Sequence, residues 1–148
     1  MTVHVATPAE AEAIGRLLHD FNSEFGDPTP GPAKLAERVR ELMAAGEITA
    51  LVADGGVAVA YFRPSLWTEA LECYLAELYV VPARRGEGIG RALLDAAIEL
   101  ARDRGADYMC LATSEGDVAA RSLYESSGFS HREGEPEGPA LYFYEREL

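Results

Sequence analysis

Arg85, Gly88 and Gly90 stand at R-x-x-G-x-G spacing inside the stretch Glu77 to Ala97, ELYVVPARRGEGIGRALLDAA. A β-type run ends at Pro82, a doubly basic glycine-rich turn follows, and the turn opens a helical pattern. The first turn of a helix carries free N–H groups and a partial positive charge. Glycines let a phosphate approach that backbone without a Cβ in the way. Arg85 and Arg91 can add charge-assisted contacts. Two familiar phosphate loops fail here. The dinucleotide pattern G-x-G-x-x-G puts Arg91 or Leu93 where its third glycine belongs, and the G-x-x-x-x-G-K-[ST] loop finds neither lysine nor hydroxyl. The remaining chemistry is a pyrophosphate held by the turn Arg85, Gly86, Glu87, Gly88, Ile89, Gly90, with Arg91 nearby. A plain glycine-rich turn with solvated arginines competes with it as long as the motif is taken alone.

The elements that must position this turn follow from periodicity. Residues 2–6 read as a short strand. Thr7, Pro8 and Glu10 form a capping box with proline at the first helical position. Ile14, Leu17, Leu18, Phe21 and Phe25 then recur at helical spacing. The loop GDPTPGP separates a second helix lined by Leu35, Val39, Leu42 and Met43. A hairpin at 47–63, a long strand at 71–81, the helix after the glycines to about Arg104, a strand at 107–113, a helix at 116–127 and a closing strand at 140–147 complete the chain. Strand, helix, strand from 71 to 113 implies a parallel right-handed crossover, and the meander before it implies antiparallel pairing. The fold class is α/β: a mixed, mostly antiparallel sheet with helices on its faces, in one domain over residues 1–148.

Bulk composition narrows the partners. The net charge of −12 opposes nucleic-acid binding, which needs a basic surface, and favours a cationic small molecule or basic peptide. Arg84, Arg85 and Arg91 are then a local basic cluster in an acidic chain. No apolar run approaches the ~20 residues of a membrane span, and the N-terminal stretch lacks the pattern of a signal peptide. A cytoplasmic protein is expected. Cys73 and Cys110 fall in apolar strand-like runs without metal spacing, so two reduced thiols are expected. His4, His19 and His131 are scattered, and no metal site is predicted.

A second segment raises the specificity of the first. LYVVPARRGEGIGRALL, followed some thirty residues later by AARSLYESSGF, resembles the paired signature segments of the GNAT N-acetyltransferase superfamily. The second carries A-x-x-L-Y-x-x-x-G-F at Ala120, Leu123, Tyr124, Gly128 and Phe129. The two-helix start, the hairpin and the closing strand are similar to the family's order, so the resemblance covers nearly the whole chain. It departs three residues before Ala120, where Asp117 stands in place of the asparagine many members carry. That asparagine usually contacts the cofactor, and an aspartate would accept the same N–H donors but repel phosphate.

The resemblance implies acetyl-CoA as donor and a sheet splayed between two parallel strands. The pantetheine arm would lie beside the strand ending at Val81 and pair with Tyr79, Val80 and Val81. An N–H near Val80 would stabilise the oxyanion. Pyrophosphate would sit on the turn from Arg85 to Gly90. Tyr124 matches the family's usual acid and would protonate the departing thiolate. An amine of pKa near ~10 must lose its proton before attack. Glu77, two residues before Tyr79 and on its face, is the first choice of base, directly or through water, while Glu72 lies on the opposite parity. Glu77 as a merely solvated charge is an equal alternative.

For the acceptor, the resemblance implies a wall from the first two helices. Phe21, Glu24, Phe25 and Asp27, with Trp67, Glu69, Glu72 and the late glutamates 133, 135 and 137, mix carboxylates with aromatics. That mixture suits a cationic primary amine: an aminoglycoside, a polyamine or a lysine side chain. A solvated acidic rim over core aromatics competes at each position. A CoA-binding regulatory module without catalysis is the second reading, and a longer acyl-CoA the third. The closing strand would offer an edge for pairing with a second copy.

Overall fold

The computed structural model describes residues 2–148. In chain order the elements are β1 His4–Val5, α1 Ala11–Glu24, α2 Pro32–Ala44, β2 Thr49–Ala53, β3 Gly56–Pro64, β4 Leu71–Val80, α3 Ile89–Asp103, β5 Ala106–Cys110 and α4 Val118–Ser126. Short 3-10 turns at Pro8–Glu10 and Pro82–Arg84 precede α1 and α3. The expected order is observed as far as α4. By its contacts the chain divides into two compact units, residues up to 111 and residues 112–148.

The first unit holds a five-stranded sheet ordered β1-β2-β3-β4-β5. The first three pairings are antiparallel and β4 with β5 is parallel. The sheet buries two faces. On one, Ile14 and Val39 from α1 and α2 pack against Ala50, Val52, Val57, Val59 and Tyr79. On the other, α3 buries Ile89, Leu93, Leu94, Ala97 and Ala101. Each fully buried Leu or Ile contributes roughly 1.5–3 kcal/mol, so this stripe fixes the start of α3 against the sheet. The contact is close: a Cβ built on Gly56 would lie 2.8 Å from Leu93 Cδ1 and 2.9 Å from Ile89 Cγ2.

α1 begins where Glu10 reaches back to accept the Thr7 N–H at 2.8 Å, as the capping pattern requires. It meets α2 at Gly15. A Cβ there would fall 2.6 Å from Ala36 N and 2.8 Å from Pro32 O, both backbone atoms. The helices touch because this residue has no side chain. Gly15→Ala is expected to destabilise the protein by about 1–3 kcal/mol, the range for overpacking, read as a lowered urea midpoint with unchanged slope.

β4 contains an irregularity that periodicity did not disclose. Consecutive residues Val59 and Ala60 of β3 oppose Glu77 and Leu75 of β4, so Ala76 is the extra residue of a β-bulge. Residues opposite one another share a face. Phe62 and Cys73, also paired, pack with Ala60 and Ala101 on the α3 side. Arg63, Glu72, Tyr61 and Tyr74 therefore turn to the α1 and α2 side, as do Glu77 and Tyr79 beyond the bulge. This corrects the expectation that Glu72 and Glu77 have opposite parity. One added residue restores them to one face.

β5 ends at Cys110 rather than Thr113, and its pairing with β4 runs only from Leu71 to Tyr74 on the β4 side. Beyond Tyr74, β4 continues for six residues without β5. The parallel pairing stops where β5 itself stops.

In the second unit, Asp117 caps α4 by accepting the Ala120 N–H at 3.1 Å. The Phe129 N–H donates to Tyr124 O at 3.0 Å, closing the helix. The closing strand expected at 140–147 is not formed. Its one ladder contact among the described residues is an isolated bridge between Arg132 and Ala140. Leu141, Tyr142, Phe143 and Tyr144 are exposed. Within this unit there is no neighbouring strand for its β-propensity to act on, and Pro136 and Pro139 in the spacer lack N–H donors.

Candidate active site

The turn after β4 adopts a conformation that its glycines make accessible. Gly86 and Gly88 have φ of +82° and +85°. Gly88 is the N-cap residue of α3, in the left-handed region. The first helical hydrogen bond runs from the Ala92 N–H to Gly88 O at 3.0 Å, so the amides of Ile89, Gly90 and Arg91 precede the helical ladder. Ile89 turns its side chain into the core and Arg91 is exposed. Apart from the adjacent residues of the chain, none of the described residues lies within 4 Å of a Cβ built on Gly86 or Gly88. The glycines there serve the left-handed backbone and an open approach, not a tight contact. Gly88→Ala should therefore cost about 1–2 kcal/mol of stability from conformation alone. With CoA's pyrophosphate on this turn, as the resemblance implies, the same change should weaken CoA about tenfold, measured by calorimetric titration.

The basic cluster is not a bare one. Arg84 pairs with Asp54 at 2.7 Å and with Glu87 at 3.1 Å. Arg85 pairs with Glu24 at 2.7 Å. Arg84 and Arg85 are thus neutralised by carboxylates, two of which lie thirty and sixty-one residues away in sequence. Backbone dipoles, more than these side chains, make the turn positive. Glu87 spends its carboxylate on Arg84.

The end of β4 is held from several sides. Val81 N–H donates to Gly55 O at 2.8 Å. Backbone groups alternate sides along a strand, so Val80 directs its N–H and C=O away from β3, into the gap left by β5. Its carbonyl accepts from Arg85 Nε at 3.0 Å. Its N–H lies outside the β3 ladder, where an approaching carbonyl oxygen or amide arm could accept from it. Tyr79 points the other way from its backbone neighbours' edge, into the core: Phe21 stacks on it with ring centres 4.8 Å apart. Its hydroxyl donates to Glu24 Oε1 at 3.0 Å. The Arg85 guanidinium holds the Glu24 carboxyl below the usual range, with the Tyr79 hydroxyl helping, while burial and then Glu24 push the Tyr79 phenol up.

Glu77 is half-buried on the face of Tyr79, and burial raises its pKa. Among the described residues its carboxylate has no hydrogen bond or ion pair. Tyr61 and Tyr74 stack on the same face with centres 6.4 Å apart. Glu72, by contrast, is bound to Arg63 at 2.7 Å. A carboxyl that is poorly solvated, unpaired and of raised pKa is poised to take a proton.

The first unit thus brings together Glu77, Tyr79, Val80, Val81, Arg85 and the glycine turn. Tyr124 and Asp117 belong to the second unit. There burial, with the Asp117 charge adding, pushes the Tyr124 phenol up to about 12, and the ring meets Phe129 edge-on at 6.1 Å. Asp117 spends one carboxylate oxygen on its helix cap. Of the proposed acceptor wall, Phe21 is packed on Tyr79, Glu24 is paired, and Trp67 is 86% exposed in its loop. Sequence reasoning missed the Ala76 bulge, the Tyr61–Tyr74 pair and the link from Glu24 to Arg85. A small Ala76 amid larger neighbours was the one local sign of the bulge. Nothing local announces the other two.

Both cysteines are free; Cys73 is buried and burial pushes its thiol up to about 11. No cluster of three or more metal-ligating side chains occurs among the described residues. No helix among them is long and apolar enough to cross a membrane.

Comparison with known proteins points one way. Residues 13–129 match the model of the acetyltransferase (GNAT) family. A crystal structure of a candidate acetyltransferase from Arthrobacter sp. FB24 superposes with a TM-score of 0.88 at 42% identity, covering 100% of this chain and 96% of that one. Streptothricin acetyltransferase from Streptomyces lavendulae is 35% identical over 123 residues, 83% of this chain and 60% of that protein. Mycothiol acetyltransferase from Beutenbergia cavernae is 39% identical over 69 residues, 45% of this chain and 23% of that protein. The chain spans less than two thirds of the length of these curated relatives.

Proposed function

Because the chain belongs to the GNAT acetyltransferase family, we propose that it is an N-acetyltransferase that moves an acetyl group from acetyl-CoA to a primary amine by direct attack. The observation that carries this reading is the end of β4. Val80 presents its N–H on the side of β4 that β5 does not reach, one residue from Tyr79 and three from a half-buried Glu77 that is unpaired among the described residues. The residues present fit the donor. The amides ahead of Ala92 and the open glycine turn would hold its pyrophosphate, and the edge at Val80 would hold its amide-rich arm. Bound there, acetyl-CoA supplies a thioester-activated acetyl group.

The chain's own residues supply the rest. Glu77 takes the proton of the attacking amine, directly or through a water. The Val80 N–H donates to the carbonyl oxygen as negative charge gathers on it. Tyr124, protonated throughout the neutral range, gives its proton to the leaving sulfur. No side-chain nucleophile with an adjacent base is needed. Asp117 has a simpler use as the cap of α4.

The acceptor is a cationic amine. Support comes from the Tyr61–Tyr74 ring pair on the face of Glu77, which offers π surface beside a carboxylate, and from the net charge of −12, which raises the local concentration of cations. Glu24 and Glu72 contribute less than their sequence positions suggested, because arginines neutralise both. Aminoglycosides, polyamines, lysine peptides and streptothricin make a suitable panel, followed by thiol release from acetyl-CoA. Turnover is expected with at least one cation. Turnover confined to neutral or acidic amino compounds would refute the cation. Binding of CoA without turnover of any amine would favour a regulatory CoA-binding module instead.

A further inference from the structure

Arg85 is the arginine of the R-x-x-G-x-G pattern, yet three of its contacts run to β4 and α1. Nε donates to Val80 O at 3.0 Å. Nη2 donates to Glu24 Oε1 at 2.7 Å. Its guanidinium carbon lies 5.7 Å from the centre of the Tyr79 ring. We propose that Glu24 and Arg85 are positioning residues, a clamp that fixes the Val80 peptide at the open edge, and that Arg85 does not act as a pyrophosphate ligand. The proposal rests on the acetyl-CoA reading of this edge.

Three observations carry it. First, the peptide joining Val80 to Val81 is held at both ends. Its carbonyl accepts from Arg85 and its N–H donates to Gly55 O at 2.8 Å. With that plane fixed and Tyr79 packed on Phe21, the Val80 N–H has little freedom left in where it points. Such fixed aim is what a donor to developing charge requires. Second, the anchor of the clamp is rigid. Glu24 is the last residue of α1, and its one oxygen also accepts from Tyr79 Oη at 3.0 Å. Third, the charge beside Arg85 is wrong for a phosphate. Glu24 cancels the positive charge and would repel the anion. The planar fork of a guanidinium can serve Val80 and Glu24 together, whereas a lysine amine offers a single point charge on a flexible stem.

Two ligands separate a clamp from a phosphate ligand: CoA, and pantetheine, which keeps the arm but lacks every phosphate. Each would be titrated into wild type, Arg85→Ala, Arg85→Lys and Glu24→Gln while amide resonances are followed by NMR. The clamp predicts that all three variants shift the Val80 amide in the ligand-free protein. It also predicts that they weaken CoA and pantetheine by the same factor, about tenfold, the loss of one charge-assisted hydrogen bond. An unmoved Val80 amide in Arg85→Ala and Glu24→Gln would overturn it. So would a loss of CoA affinity in Arg85→Ala with pantetheine unaffected, which would make Arg85 a phosphate ligand. If Arg85→Ala does not fold, Glu24→Gln carries the same predictions with the arginine intact. Failure of the acetyl-CoA reading shows differently: CoA would leave the Ile89, Gly90 and Arg91 amides of wild type unmoved, and the ligand-free Val80 shift would then judge the clamp by itself.

Discussion

Glu77→Gln is expected to lower the rate of acetyl transfer by about two to three orders of magnitude, the usual worth of a positioned general base. The glutamine keeps shape and hydrogen-bonding capacity but cannot accept the amine's proton. Wild-type rate should rise with pH through a limb displaced above the ordinary carboxylate range, because burial raises the Glu77 pKa. That limb should be absent from the variant. Stability should move the other way. A carboxyl whose folded pKa exceeds its unfolded value favours the folded state below the unfolded pKa, and that advantage is lost as pH rises through the folded pKa. At neutral pH the charged, half-buried Glu77 is therefore a cost that glutamine removes. Thermal melts should show Glu77→Gln more stable than wild type at pH 8, with the gap closing below about pH 4. A variant slower but no more stable at pH 8 would place Glu77 in better solvent than the structure indicates. A variant with undiminished rate would end its role as base.

Tyr124→Phe is expected to lower the rate by about two orders of magnitude as a general acid is lost, with little change in CoA affinity. The pH profile is the sharper measurement. A phenol pushed up to about 12 by burial and by the Asp117 charge stays protonated across the working range. The wild-type rate should thus show no fall from loss of this acid below about pH 10. Asp117→Asn removes the second cause and retains a side-chain oxygen to cap α4, so it should bring the phenol's titration lower while leaving the helix in place. A wild-type rate that falls between pH 8 and 9 and is unchanged by Tyr124→Phe would assign the acid elsewhere.

Much of the architecture followed from period and punctuation. The apolar spacing of Ile14, Leu17, Leu18 and Phe21 yields α1, the glycines yield the turn before α3, and the doubled motif yields the family. Each rests on interactions within a few residues or on a pattern of residue types, and such interactions are written in the order of the chain. The closing strand failed for the complementary reason. The run at 140–147 has the composition of a strand, but a strand exists only with its partner, and composition names no partner.

The same division runs through the site. The sequence by itself determined that a glycine turn would open a helix, that β4 would lead into it, and that Glu77 and Tyr79 would share a face, because two-residue spacing survives on the far side of the bulge. Only the tertiary structure decided what the charged groups do. The Ala76 bulge reversed the facing of Glu72, and the folding of α1 onto β4 brought Glu24 to Arg85 and Tyr79 across sixty-one and fifty-five residues. The hairpin at Asp54 took Arg84. Electrostatic and hydrogen-bond partners are chosen by distance in space, and a net charge of −12 spread along a chain does not say which carboxylate ends beside which arginine. Among the described residues Glu77 was left unpaired by that same folding, and this is the ground on which it is proposed as the base.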